Sequence, residues 1–588
     1  MIFTLTRLVH CGAIITVLDV TPVDEYEFML QTSIKEVIIV ERLTDNFGTA
    51  RWAEESDLLK EGLFPLALTD YVKYSSPEEQ QQWVRGNKRA AAFLLGQMAD
   101  PKKLLEPIRQ NRESAMESML SSLGRLFSKH KDDYLAWNGD GHIITIAPTR
   151  SGKGVGLVVP NLIHYPGSVI VVDPKGENYA ITAHHREEYM NFDVIRLDPF
   201  GVMGAGTDYI NPLEGLVKGR PETYLDQNPM LLDELAVIAD AMVIRPADEK
   251  DPHWNDKARM MIKALLLAVL CNMGPNRRHD LGELRAILET ERLGAFFKKM
   301  MENKTAVRGK LAALGSECNQ MGDNEFYSVV SSVMKHTEFL ESPLMQKAFG
   351  VNNPYGNGYD VRFLKSSGSA SVYIIIPPQY LASYSRAIRV WVTCAMNAMT
   401  RTSGKPVDGC PVLFMLDEMA QLGTLDCLKQ AVSLLAGYGM TLWMVWQDLS
   451  QIKSLYKDCW STFLANAKVQ QFFGINDHDT AEYVSKMLGK ATIPVETISG
   501  TTSSSGKMTE LFNTKTSGIT RTHAEKEREL LMPDEVRRLD RETTLLFVQG
   551  CPPIVSKRIT YFNDPNFSKY ASSNPYFSDF STKKGISQ

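Results

Sequence analysis

One stretch constrains the fold of this chain more than any other: a buried strand, a glycine-rich turn and a helix follow one another without a gap. Residues 142–146 (HIITI) form a short apolar run, 147–154 (APTRSGKG) form the turn, and a run with helical apolar spacing starts at Val155. Such a turn presents the first amide N–H groups of the helix, which lack intrahelical acceptors, to an anion. Lys153 is placed to reach the β- and γ-phosphates of a nucleotide. Thr149, Arg150, Ser151, Gly152, Lys153, Gly154 and Val155 are therefore candidate binding residues. Against the pattern GxxxxGK[ST], Ala147 replaces the first glycine and Gly154 replaces the residue whose hydroxyl reaches magnesium. Thr149, Ser151 or water would have to fill that metal position. The pattern alone also admits a glycine-rich turn that merely closes a strand–helix corner.

A second element bears on that choice. The apolar run 412–416 (VLFML) leads straight into Asp417 and Glu418. Two carboxylates at the tip of a buried strand are costly unless a cation or water shares the site. In P-loop ATPases the Asp orders magnesium and the Glu polarises the attacking water, the reading favoured here over two solvated surface acids. The next core strand, 442–446 (LWMVW), ends at Gln447, which either senses a γ-phosphate or caps the following helix. Asp173-Pro-Lys-Gly-Glu177 follows the strand after the loop and either lines the same sheet edge or is a simple turn. His184 and His185, adjacent in sequence, are read as part of a surface helix and not as metal ligands.

Around these motifs the chain has the texture of a parallel α/β sheet. Short apolar runs at 168–172, 193–197, 371–376, 412–416, 442–446 and 544–548 each stop at a polar turn, and the early ones are followed by helical patterns. From about 220 to 360 only helical spacing is found, so an all-α insert (216–360) is expected to interrupt a nucleotide-binding domain built from 131–215 and 361–565. Residues 1–47 form an N-terminal segment, and 48–130, with helical spacing at 104–126, lead into the core. Residues 497–523, rich in Ser and Thr, are expected to be a mobile loop, and 566–588 a tail.

Composition narrows the classes. The 588 residues are 44% hydrophobic and 23% charged, which excludes a disordered or fibrous chain. Acidic residues (69) exceed Lys and Arg (64), so a surface coated for non-specific duplex binding is not expected. The eight cysteines form no CxxC pair, which argues against zinc and redox motifs. The most apolar N-terminal stretch, Leu8 to Leu18, is shorter than the ~20 residues a spanning helix needs. The chain as it stands is thus expected to be soluble.

The motifs taken together resemble the TraG-like coupling proteins of type IV secretion and conjugation systems. The resemblance rests on 147–162 (APTRSGKGVGLVVPNL), 171–186 (VVDPKGENYAITAHHR), 414–425 (FMLDEMAQLGTL), 434–440 (LLAGYGM) and 445–456 (VWQDLSQIKSLY). GTARWA (48–53), LDPFG (197–201), INPL (210–213) and LLMPDEVRRL (530–539) fit as well. It implies a RecA-like P-loop NTPase domain with an inserted all-α domain, ATP and magnesium as cofactors, and a homo-hexamer on the cytoplasmic face of the bacterial inner membrane. Implied partners are secretion-channel components and a relaxase–DNA complex or effector proteins, with an adaptor or single- or double-stranded DNA as further possibilities. In that frame Lys153 binds phosphate, Asp417 holds magnesium through water, Glu418 activates water and Gln447 senses the γ-phosphate.

Three departures from the family are expected to matter. Paired N-terminal transmembrane helices are not seen. The turn at Ala436 to Gly439 lacks an arginine that some relatives carry there, leaving Arg386 and Arg389 as candidate trans-acting arginines. No long charged tail follows the core. An ATP-hydrolysing coupling motor is the leading expectation. A nucleotide-gated receptor with little hydrolysis and an FtsK-like DNA translocase are the alternatives, and a metabolic kinase fits least.

Overall fold

The structure is a computed structural model that describes residues 3–10, 13–20, 51–53, 55–60, 63–66, 92–97, 133–245, 251–354, 356–367, 369–406, 409–424, 428–429, 431–432, 435–505 and 514–576. The helical spacing expected at 104–126 lies outside the described residues. In chain order the strands are β1 (Phe3–His10), β2 (Ala13–Val20), β3 (Leu63–Leu66), β4 (Phe93–Gln97), β5 (Tyr134–Trp137), β6 (His142–Ile146), β7 (Val169–Val172) and β8 (Asp193–Leu197). They continue with β9 (Ala370–Ile374), β10 (Val412–Leu416), β11 (Met440–Trp446), β12 (Ala467–Phe473), β13 (Lys490–Ser505), β14 (Thr514–Glu529), β15 (Thr543–Val548) and β16 (Ile554–Lys557).

The chain divides into two units, one of residues 1–50 with 488–530 and one of 51–487 with 531–588. In the first, β1 pairs antiparallel with β2, and β13 pairs antiparallel with β14 in unbroken register from Lys490↔Glu529 to Ser505↔Thr514. Within the stretch expected to be a mobile loop (497–523), residues 497–505 and 514–523 are thus strand, and 506–513 lie outside the described residues. Thr497, Ile498, Thr501, Thr502, Thr516, Ile519, Thr520 and Thr522 are β-branched, and such residues suit a pleated strand even where Ser and Thr dominate.

The second unit is an α/β structure around a 12-stranded sheet in the order β3-β5-β4-β16-β15-β12-β6-β11-β10-β7-β9-β8. From β12 to β8 all neighbours are parallel; from β12 to β3 all are antiparallel. The parallel strands β6, β7, β9, β10 and β11 are buried at every residue, as they must be when crossover helices cover both faces. Strand β6 lies at the reversal point of the winding. The chain leaves it for β7 and β8 on one side and returns later to place β11 and β12 beside it. Ligands of open α/β sheets bind at the carboxyl ends of strands at such a point.

Between β8 and β9 the described chain is helical and adds nothing to the sheet. Its ends are drawn together where Tyr209 donates its N–H to Asn357 O (3.0 Å) and accepts from Tyr359 N–H (3.0 Å). Helix His253–Leu270 is buried at nearly every position from Met261 onward, because helices Leu231–Met242, Leu281–Thr290, Lys310–Asn319 and Asp323–His336 pack around it. Helix Ser385–Thr400, which follows β9, ties this bundle to the sheet: Trp391 stacks on Phe349 (ring centroids 4.6 Å apart) and donates to Ile210 O (3.2 Å). Among the described residues no helix is long and apolar enough to cross a membrane.

Candidate nucleotide site

The loop after β6 is a tight, internally bonded turn. Ala147 N–H donates to Trp446 O (2.9 Å), fixing the loop's start to β11. Ser151 closes on Pro148 twice, through its N–H (3.3 Å) and its hydroxyl (2.6 Å). Arg150 (φ 61°) and Gly152 (φ 88°) turn the backbone through the left-handed region. Thr149 and Arg150 are exposed, whereas Ser151 and Lys153 are buried. The Lys153 ammonium donates to Ala147 O at 3.1 Å, lying across the loop mouth. The helix beyond begins with a wide π-type turn, Gly154–Val158, and becomes α-helical over Val159–His164. Pro160 has no N–H to give, and wide turns of this kind are frequent at functional sites. A Cβ at Gly154 would meet nothing within 4 Å.

The acidic pair stands at the end of β10, separated from the loop strand by β11 alone. Burial pushes the Asp417 carboxyl up to about 6, with Lys153 pulling it down and Glu418 pushing it up. Lys153 and Asp417 therefore lie within electrostatic reach of each other. Glu418 sits in the left-handed region (φ 58°, ψ 43°), an uncommon conformation for a residue with a Cβ. Its carboxylate accepts a hydrogen bond from Gln447 Nε2 at 2.9 Å. The helix after β11 is capped by Asp448, whose carboxylate accepts from Gln451 N–H (3.0 Å). Gln447 is thus free of the capping role and its side chain turns to Glu418.

Asp173, at the tip of β7, is buried and accepts from Tyr179 N–H (2.8 Å) and Asn178 Nδ2 (3.3 Å). Burial pushes its carboxyl up to about 7, the two donors oppose this, and Asp417 adds to it. Asp173 therefore does both things the motif allowed: it binds the start of helix Glu177–His184 and it lies at the sheet edge beside Asp417.

Two expectations need correction. His184 is exposed, but His185 is buried, with Nε2 on Ile163 O (3.1 Å) and its ring against Tyr570 (4.6 Å). The helix is amphipathic at this point and not a surface helix on both sides. Arg389 is buried, donating to Ala241 O (3.1 Å) and to Thr424 O, so it is committed within its own chain. Arg386 feels Glu338 and acts on His336, both in the helical bundle.

Sequence reasoning missed Arg558 and Gly474. Gly474, after β12, leaves room for the loop, since a Cβ there would lie 3.1 Å from Ser151 Cβ. Arg558, after β16, donates to Ser151 O. The pairing of β12 with β6 brings Gly474 here and the pairing of β15 and β16 onto that edge brings Arg558, and no local motif signals either. Among the described residues no three acidic, His or Cys groups form a metal cage. A nucleotide-bound magnesium needs only one or two carboxylates, the rest of its shell being phosphate oxygens and water, and Asp417 fits that need.

The family described as Type IV secretory system Conjugative DNA transfer matches residues 107–585. The conjugal transfer protein TraG of Escherichia coli is 28% identical over 557 residues, spanning 87% of this chain and 81% of TraG. Protein VirD4 of Rhizobium radiobacter is 27% identical over 443 residues, 73% of this chain and 58% of VirD4. Among solved structures, the bacterial conjugative coupling protein TrwBdeltaN70 superposes with a TM-score of 0.48 at 16% identity, over 72% of this chain and 87% of that one.

Proposed function

The chain belongs to the type IV secretory system conjugative DNA transfer family, and from that premise we propose that it is a coupling ATPase that delivers DNA, with its bound protein, to a secretion channel. The observation that carries this reading is the convergence of three side-chain groups at the carboxyl ends of neighbouring strands. Lys153 follows β6, Gln447 follows β11, and Asp417 with Glu418 follows β10.

Loop amides and Lys153 would hold the phosphates of ATP, and Asp417 would hold magnesium. Bound there, magnesium supplies neutralisation of phosphate charge. Ser151 keeps hydroxyl lone pairs available while its hydrogen is donated to Pro148 O. Glu418 Oε accepts a hydrogen bond from the attacking water and polarises it. Gln447, bonded to the other side of that carboxylate, fixes its rotamer, and the strained backbone at Glu418 presents it at the strand tip. A γ-phosphate-sensing role for Gln447 follows if the amide exchanges Glu418 for phosphate when ATP arrives. A ring of six copies at the inner membrane is part of the proposal. It would let a neighbour complete each site, since Arg389 is committed within its own subunit.

Gly154 favours a second reading, a nucleotide-gated receptor with little turnover, because it lacks the hydroxyl expected at the magnesium. Glu418→Gln separates the two. The motor reading expects the variant to bind ATP within about threefold of the parent and to hydrolyse it roughly 10²-fold more slowly. Equal turnover in parent and variant would remove Glu418 from the chemistry, and negligible turnover in the parent would favour the receptor.

A further inference from the structure

Arg558 reaches the phosphate loop from the far end of the chain. Strand β16 pairs with β15, β15 with β12, and β12 with the loop strand β6, so the residues after Lys557 run back towards the loop. Arg558 N–H is held by Glu542 O (2.6 Å), and Ile559 is buried in the apolar cluster that contains Val159 and Ile163 of the loop's helix. Two glycines open the path of its side chain. A Cβ on Gly156 would lie 2.6 Å from Arg558 Cδ and 2.7 Å from Ile559 O, and a Cβ on Gly152 would lie 2.7 Å from Arg558 Cζ. The guanidinium ends on Ser151 O. Among the described residues it has no carboxylate within ion-pair distance, and its Nε is buried without a partner.

The consequence follows from peptide geometry. Ser151 C=O and Gly152 N–H belong to one planar trans unit and point in opposite directions. Fixing the carbonyl on Arg558 therefore fixes the N–H on the opposite side. Gly152 adopts φ 88° and has no Cβ, so without that anchor the peptide is among the easiest in the loop to rotate. A charged donor on the carbonyl also polarises the amide and makes its N–H a stronger donor. We propose that Arg558 is a positioning residue for the phosphate loop, setting the Ser151–Gly152 peptide so that nucleotide affinity depends on a side chain from the C-terminal strands. The inference rests on reading residues 147–155 as the nucleotide site.

The test is calorimetric titration of the full chain with magnesium–ADP, for the parent, Arg558→Met, Arg558→Gln, Arg558→Lys and Lys153→Ala, with thermal melts of each. Methionine keeps the length and loses the donor, glutamine keeps a neutral donor, and lysine keeps a charged one. The expected result is a roughly tenfold loss of affinity for Met, a smaller loss for Gln and recovery to within about threefold for Lys. Melting temperatures of the folded variants should stay near that of the parent. Should the Met variant fail to fold, Gln against Lys carries the comparison. Unchanged affinity in the Met or Gln variant while Lys153→Ala abolishes binding would overturn the role of Arg558 and leave the site intact. A fall in melting temperature with affinity preserved would make Arg558 a packing residue and overturn it equally. Normal binding by Lys153→Ala would instead bring down the reading of the site itself.

Discussion

Gly154 and Gly156, two residues apart in the same helical turn, make opposite predictions. At Gly154 the space is open and φ is not left-handed, so Gly154→Ser should fold with a melting temperature close to the parent's. Its new hydroxyl stands where the usual P-loop supplies a magnesium ligand, so the variant should bind magnesium–ADP more tightly than the parent, by a factor of a few, in the same titration. At Gly156 a Cβ would meet the Ile559 carbonyl at 2.7 Å, a backbone atom that cannot swing away. Gly156→Ala should therefore lower the melting temperature, by an overpacking cost of about 1–3 kcal/mol. An equal response of the two positions would contradict the packing described here. For Gln447 the bond to Glu418 is the guide. Gln447→Leu should cut turnover by at least about tenfold while leaving ADP affinity within a factor of a few, because the amide touches the carboxylate and not the loop. A lost affinity with intact turnover would put Gln447 on the nucleotide instead.

At the scale of elements, His142 shows how the loop strand is held. Its Nδ1 accepts from Leu442 N–H of β11 (3.1 Å), so the ring hydrogen is on Nε2, which donates to Ala431 O (3.2 Å). Both nitrogens are satisfied only in the neutral ring. Burial pushes the His142 imidazole down to about 4, against the opposing pull of the Ala431 carbonyl. The unfolded chain takes up this proton near pH 6.5 and the folded one near 4, so the contribution is complete above 6.5 and is lost as pH falls through that window. His142→Gln should make stability between pH 6.5 and 4 less steep, by up to about 1.4 kcal/mol per pH unit, in denaturant titrations at several pH values. An unchanged slope would mean that the ring is already charged in the folded state.

The same scale shows what could be read beforehand. The parallel strands announce themselves as largely apolar runs, and β6, β8 and β10 have the bounds expected from the sequence. In the antiparallel half only β15, at the run 544–548, does so. Strand β12 mixes exposed Lys468 with buried Gln471, and that glutamine belongs in the core only because it bonds Thr145 (2.9 Å) and Leu95 O (2.9 Å) on two other strands. Such a role depends on partners hundreds of residues away. The same is true of Arg558, whereas Lys153, Asp417, Glu418 and Gln447 were legible because each ends or follows an apolar strand. His185 escaped for the same reason as Arg558: its ring is covered by Tyr570, near the other end of the chain.

At the scale of the whole molecule, a mostly parallel 12-stranded sheet and a helical bundle between β8 and β9 belong to a chain of a DNA-transfer family, which we propose to be a coupling ATPase. A net charge of −5 argues that any DNA contact is confined to a local surface, such as a ring pore, because a generally acidic protein does not coat a duplex. The central claim is that the loop and the acidic pair form one working ATPase site coupled to DNA. The most direct measurement is ATP turnover by the full chain with and without single-stranded DNA, in the parent and in Lys153→Ala. The account predicts turnover that DNA stimulates and that falls to background in the variant. Turnover that survives loss of Lys153, or bound ATP that is not hydrolysed with or without DNA, would contradict it.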